Sequence, residues 1–268
     1  ANKALLAIHG NELIKIAEKN NVTINYEAAI AGGVPIVKAV RENLRHNNII
    51  KIYGILNGTC NYILTKMEQE GKNFTLALKD AQKLGFAELD PTFDIKGIDA
   101  AHKITLLSSL AFNVPINFSS TYIEGIDKIE LDDFSFAKEF GYKIKLLGIA
   151  KKSGDIYEQR VHPCLIKENS EIAKVENELN AVVVIDEMVG KSVFIGPGAG
   201  RIINQELGFI GTGFTPSLLG QAFFVTGSPQ MTALLISIWT ILCSWFLRKL
   251  FINSQNFALR AMCILWIF

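Results

Sequence analysis

Nothing in this chain is spaced to hold a zinc ion. Its four cysteines (Cys60, Cys164, Cys243, Cys263) and four histidines are scattered, with no CxxC. The cysteines therefore read as free thiols of a reducing compartment. Charge of one sign is also scarce: 27 Lys+Arg stand against 26 Asp+Glu, a net charge of +1. With no basic run and no aromatic-basic interleaving, no nucleic-acid partner is expected. The opening Ala1-Asn2-Lys3-Ala4-Leu5-Leu6-Ala7 has no basic segment leading into a long apolar core, so these residues do not read as a signal peptide. No Met precedes it, and the chain begins as if cut from the middle of something longer.

The last quarter has almost no charge. From Ile202 to Phe268 only Glu206, Arg248, Lys249 and Arg260 are charged, and all three tryptophans (Trp239, Trp245, Trp266) fall there. Residues 231–247 are uncharged and mostly apolar, close to the roughly 17–25 residues of a membrane span. Basic residues follow at once, as at a cytoplasmic flank. This tail is either an anchor or sequence foreign to the fold.

Ahead of the tail, strands alternate with helices, which predicts an α/β or α+β class. The pattern predicts helices over 9–20, 35–44 and 60–70, one capped by Thr75 and stopped at Gly85, and a long one from Ile95 or Gly97 to Phe112. Asp132 or Asp133 caps a further short helix. Strands are predicted over 22–30, 49–56, 143–150, 156–166 and 181–185, with a last one starting at Ser192 and running into the Gly-rich turn of 196–200.

One stretch carries chemistry. In Gly85-Phe-Ala-Glu-Leu-Asp-Pro-Thr-Phe-Asp-Ile-Lys-Gly-Ile-Asp-Ala-Ala-His-Lys103, Glu88, Asp90, Asp94 and Asp99 approach one lysine. Asp99 and Lys103, four apart, share a helix face. The plain reading is a surface ion pair at the head of an ordinary helix. The chemical reading is a carboxylate pocket for a substrate ammonium, with Lys103 placed to protonate a carbonyl oxygen. Small Ala100 and Ala101 would let a ligand approach. Asn57-Gly58-Thr59, after a strand and before a helix, is a turn or a carboxylate site at a helix N-terminus. Glu27-Ala-Ala-Ile-Ala-Gly-Gly-Val-Pro35 is a backbone turn or a loop whose carbonyls face a monovalent cation. Gly196-Pro-Gly198-Ala-Gly200 resembles a fragment of a phosphate-binding turn, but it is a lone Gly cluster without the strand-turn-helix context.

Taken together, residues 1–200 resemble the homoserine dehydrogenase family. The resemblance rests on Ala28–Ile36, on Gly54–Leu64 (GILNGTCNYIL) and above all on Gly85–Lys103. It implies an NAD(P)-dependent oxidoreductase interconverting aspartate 4-semialdehyde and homoserine, cytoplasmic and homodimeric. Residues 1–25 would be the remnant of a Rossmann nucleotide-binding domain and 26–200 a catalytic and dimerisation region. By the same resemblance Lys103 is the general acid, and Lys3 lies beside nicotinamide and substrate. Glu88 and Asp99 bind the substrate amino group, with Asp94 close by, and Thr59 is a further substrate-binding residue. Gly198 or Gly200 touches NADP or NAD, and Glu27, Ile30, Gly32 and Val34 give oxygens to a structural sodium ion.

Two departures stand beside that resemblance. The family's nucleotide-binding half would precede Ala1, so this chain alone is expected to turn over little. Residues 201–268 do not match the family's return to that domain, and out-of-frame translation or a membrane anchor would each explain them.

Overall fold

The computed structural model describes residues 2–44, 48–188 and 190–198. The chain divides into two units, Ala1–Ser217 and Leu218–Phe268, and all of the described residues belong to the first. The apolar segment 231–247, Gly200 and the whole of the tail lie outside them. No helix among the described residues is long and apolar enough to cross a membrane.

The described helices are α1 (Lys3–Lys19), α2 (Glu27–Ala31), α3 (Ile36–Lys38, continued by a π turn, Ala39–Asn43), α4 (Gly58–Glu70), α5 (Phe74–Lys83), α6 (Thr92–Ile95), α7 (Ile98–Phe112) and α8 (Leu131–Glu139). The strands are β1 (Ile49–Ile55), β2 (Tyr122–Ile123), β3 (Tyr142–Ser153), β4 (Ile156–Lys167), β5 (Leu179–Asp186) and β6 (Gly190–Pro197). They form one sheet in the order β2-β4-β3-β1-β5-β6. Every pairing is antiparallel except β2 with β4. A mainly antiparallel sheet with helices on one face is the α+β form of the expected class.

Alternation in the strands divides the sheet's two faces. Ile52 of β1, Ile144 and Leu146 of β3 and Val182 and Val184 of β5 meet Ile104 and Leu107 of α7 in the main core. Each such buried aliphatic side chain contributes about 1.5–3 kcal/mol. Tyr53, Ile55, Leu147, Ile149, Val183 and Val193 point the other way, into a second apolar cluster closed at one end by Ile172 and Val175.

Four local expectations change. The segment 22–30 is not a strand: its end forms α2, and the Glu27 carboxylate at its start accepts from the N–H groups of Val37 and Lys38 in α3, at 2.7 and 2.8 Å. Tertiary bonding of this kind overrides the β-branched composition. Helix α1 starts six residues earlier than residue 9, capped by Asn2. Asn73, not Thr75, caps α5 by accepting from the Leu76 N–H at 3.0 Å. Helix α8 begins after Glu130, whose N–H donates to Asp133 Oδ2 at 2.9 Å.

Candidate active site

The site forms where the exit of β1 meets the starts of α4, α6, α7 and α1. Asn57 ends the β1 turn and is the N-cap of α4: its Oδ1 accepts the Cys60 N–H at 2.8 Å. Gly58, the first residue of the helix, lies against the backbone of Glu178; a Cβ there would stand 2.5 Å from its carbonyl oxygen. Only glycine permits this approach, so the Asn-Gly pair is neither a hairpin turn nor a loose loop.

Helix α7 supplies the charges. It follows Gly97, whose φ of +79° turns the chain out of α6 at little cost. One turn brings Asp99 and Lys103 together, Nζ to Oδ2 at 2.7 Å. Lys103 Nζ also donates to the Leu56 carbonyl at 2.6 Å. The other oxygen of Asp99 takes Lys3 Nζ at 3.0 Å. A cation in the first turn of a helix opposes the helix dipole, so Lys3 at the head of α1 has its compensation in Asp99. Helix α1 is held in place by Asn11, which exchanges two hydrogen bonds with the backbone of Ile116, at 2.8 and 3.0 Å.

Asp94 completes the group. Asn57 Nδ2 donates to Asp94 Oδ1 at 2.7 Å and to Asp99 Oδ2 at 2.9 Å. The two carboxyls titrate in opposite directions. Burial alone would raise Asp99, only 5% exposed, but Lys103, Lys3 and the bonds from Lys103 and Asn57 together hold it far below the usual carboxylate range. Burial and the neighbouring Asp99 charge raise Asp94, against the pull of Asn57, Lys103 and Lys3. Environments that push two acids apart mark groups with different tasks.

Of the four acids in the Gly85–Lys103 stretch, two converge. Asp90 accepts from the backbone N–H and hydroxyl of Thr92, at 3.1 and 2.6 Å; it serves a local turn. Glu88 is exposed, and its carbonyl takes Gln82 Nε2 at 3.0 Å. Thr59 donates its hydroxyl to the Phe86 carbonyl at 2.6 Å, tying the loop to α4. Ala100 and Ala101 are 1% and 0% exposed; their small size serves packing on the sheet, not ligand approach. His102 is buried between Phe93 and Phe118, with ring centroids at 5.2 and 4.5 Å. Asn57 was not separated from its turn by sequence reasoning, although an Asn N-cap ahead of Gly was its signal.

The remaining expected residues lie around the end of β6. Glu27, Ile30, Gly32 and Val34 follow one another from α2 into the turn before Pro35. Gly33 N–H donates to the Pro197 carbonyl at 3.0 Å, and the Val34 carbonyl accepts from Ile36 N–H at 2.8 Å. Gly198 follows β6, half-buried beside the Asn180 side chain.

The family model for homoserine dehydrogenase matches residues 35–203. A homoserine dehydrogenase of Neisseria gonorrhoeae is 54% identical over 202 residues, covering 75% of this chain and 46% of that protein. One of Helicobacter pylori is 54% identical over 200 residues, covering 75% and 47%. Among solved structures, a homoserine dehydrogenase of Thiobacillus denitrificans superposes with a TM-score of 0.72 at 46% identity, over 76% of this chain and 49% of that one. A hyperthermophilic archaeal homoserine dehydrogenase in complex with NADPH has a TM-score of 0.63 at 29% identity, over 78% of this chain and 64% of that one. The chain thus spans about half the length of the curated relatives it matches.

Proposed function

Since this chain belongs to the homoserine dehydrogenase family, we propose that it carries the substrate-binding and proton-donating part of an NAD(P)-dependent enzyme interconverting aspartate 4-semialdehyde and homoserine. The observation that supports this best is one buried carboxylate, Asp99, holding two lysines while a second, Asp94, stands beside it. Both substrates are short amino acids with an ammonium at one end and the reacting oxygen at the other. An acid and a lysine set side by side match that length.

Lys103 has three N–H groups, and Asp99 and Leu56 take two. The third is free to meet the aldehyde oxygen. Negative charge builds on that oxygen as the carbonyl is reduced, and Lys103 delivers the proton. In the reverse direction the same amine takes the proton from the alcohol. Asp99 keeps Lys103 aimed and offsets the charge of Lys3. Asp94 receives the substrate ammonium, with Glu88 at the exposed rim. Thr59, tied to the Phe86 carbonyl, shapes the pocket wall.

NADP or NAD, when bound, supplies or accepts the hydride. The chemistry of Lys3 fits such a group: a partly exposed ammonium beside the reacting end. Gly198, with no side chain beside Asn180, fits as a backbone contact. Following the family resemblance, we assign a structural sodium ion to the turn holding Glu27, Ile30, Gly32 and Val34, where the Val34 carbonyl already accepts the Ile36 N–H. We assign the homodimer to the sheet face that carries the second apolar cluster, where Ile195, paired with Ala181, is exposed. We assign the catalytic region to the cytoplasm, a reading supported by the balanced charge and the free thiols of Cys60 and Cys164.

The test is substrate choice. The chain, alone and joined to the nucleotide-binding half of the Neisseria relative, is assayed for NADPH oxidation with aspartate 4-semialdehyde and with succinic semialdehyde, which lacks the ammonium. The joined protein is expected to prefer the amino substrate by 100-fold or more in kcat/KM. Equal use of both would refute an ammonium pocket at Asp94, and use of neither would refute the dehydrogenase reading.

A further inference from the structure

Asn57 is 5% exposed and uses every polar atom of its side chain. Its orientation follows from chemistry. The Cys60 backbone N–H can only donate, so the amide must turn Oδ1 toward it. Nδ2 then faces the other way, where its two hydrogens meet Asp94 Oδ1 and Asp99 Oδ2. The start of α4 therefore fixes the amide, and the amide fixes two carboxylates from two further helices. Both oxygens of Asp99 are occupied: Oδ1 by Lys3, and Oδ2 by Lys103 and Asn57. Asp94 is bound through Oδ1, and its Oδ2 meets no side-chain donor among the described residues.

Resting on the reading above, we propose that Asn57 is the positioning residue of the site: its amide clamps Asp94 against Asp99, commits Asp99 to the two lysines and leaves the outer oxygen of Asp94 for the substrate ammonium. Without the clamp two buried carboxylates would repel each other, and Asp94 would swing out or hold a proton. The titratable groups facing the pair are Lys3 from α1 and Lys103 and the buried His102 from α7, and the fully buried Cys60 thiol lies against the Asp94 carbonyl. None of them can supply the Asn57 bond, because a lysine pulled toward Asp94 would leave Asp99.

Asn57→Ser and Asn57→Asp separate this role from helix capping. Serine and aspartate are both good N-caps, so each keeps an acceptor for Cys60 N–H, but neither has an amide to donate. The whole chain, labelled with 13C at aspartate carboxyls, is titrated by NMR as wild type and as each variant. Thermal melting of Asn57→Ser should stay within a few degrees of wild type, while Asn57→Asp, which adds a third buried carboxylate, should melt lower. The Asp94 midpoint should move to higher pH in both variants, further in Asn57→Asp, and Asn57→Gln should not restore it. In the joined enzyme, Asn57→Ser should raise KM for aspartate 4-semialdehyde by 10-fold or more, with a smaller change in kcat. An Asp94 midpoint unchanged in Asn57→Ser, with the melt preserved, would overturn the proposal. So would a kcat loss without a KM change. The NMR arm needs no catalysis, so it decides the proposal even if the joined enzyme reduces no substrate.

Discussion

At the residue scale, Asp99 and Asp94 should respond to neutralisation in opposite ways. Asp99 has a folded pKa below its unfolded value, so the stability it contributes is present above about pH 4. It is lost as the pH falls toward the folded value. Replacing it by Asn removes one charge from Lys3 and Lys103 together, and breaking a buried pair from one side costs about 3–5 kcal/mol. Asp94 has a raised folded pKa, so its ionisation destabilises the fold as the pH rises above the unfolded value. Asp94→Asn should melt at or above the wild-type temperature at pH 7, while Asp99→Asn melts well below it. Calorimetric melts of both variants decide this; a shared direction would refute the division of charge between them. Lys145 gives a third handle. It is buried, donating to Asn61 Oδ1 at 3.0 Å and to the Val175 carbonyl at 2.8 Å. Burial lowers its pKa to about 8. Between that value and the unfolded 10.5 the unfolded chain holds the extra proton, so Lys145 adds stability as the pH rises through this window. Denaturant midpoints from pH 7 to 10 should show that rise in wild type and lose it in Lys145→Met.

At the scale of elements, the head of α7 is the part the sequence made plainest. Asp99 and Lys103 at i, i+4 after Gly97 needed only helical geometry, and the structure has them 2.7 Å apart. Gly97→Ala should cost about 1–2 kcal/mol from its positive φ, and more from a Cβ set 3.2 Å from the Glu124 carbonyl oxygen. Urea unfolding measures it, and a loss under 0.5 kcal/mol would contradict the strain argument. What was hidden depended on contacts distant in sequence. Glu27 at the start of α2 ties that helix to the N–H groups of Val37 and Lys38 in α3, a contact that composition alone does not encode. Asp90, Asp94 and Glu88 look alike in sequence. They part company because α6 turns Asp94 inward and leaves Asp90 to cap Thr92. Asn57 reaches Asp94 and Asp99 across 37 and 42 residues, a separation that no local pattern encodes.

At the scale of the whole molecule, the helices of one sheet face hold the site while the opposite face carries the second apolar cluster. If that face joins two copies, Ile195→Asp, at an exposed position paired with Ala181 on the same face, should shift the chain from dimer to monomer in sedimentation equilibrium. A dimer that survives this change uses another surface. The central claim, that a lysine locked by Asp99 is the proton donor in carbonyl reduction, is tested most directly by steady-state NADPH oxidation in the joined enzyme, comparing wild type with Lys103→Ala on aspartate 4-semialdehyde. A fall of about 10²–10⁴-fold in kcat is expected for loss of a positioned general acid, assayed well below the melt, which should itself drop because Asp99 keeps only Lys3. Retention of full kcat in Lys103→Ala would contradict it.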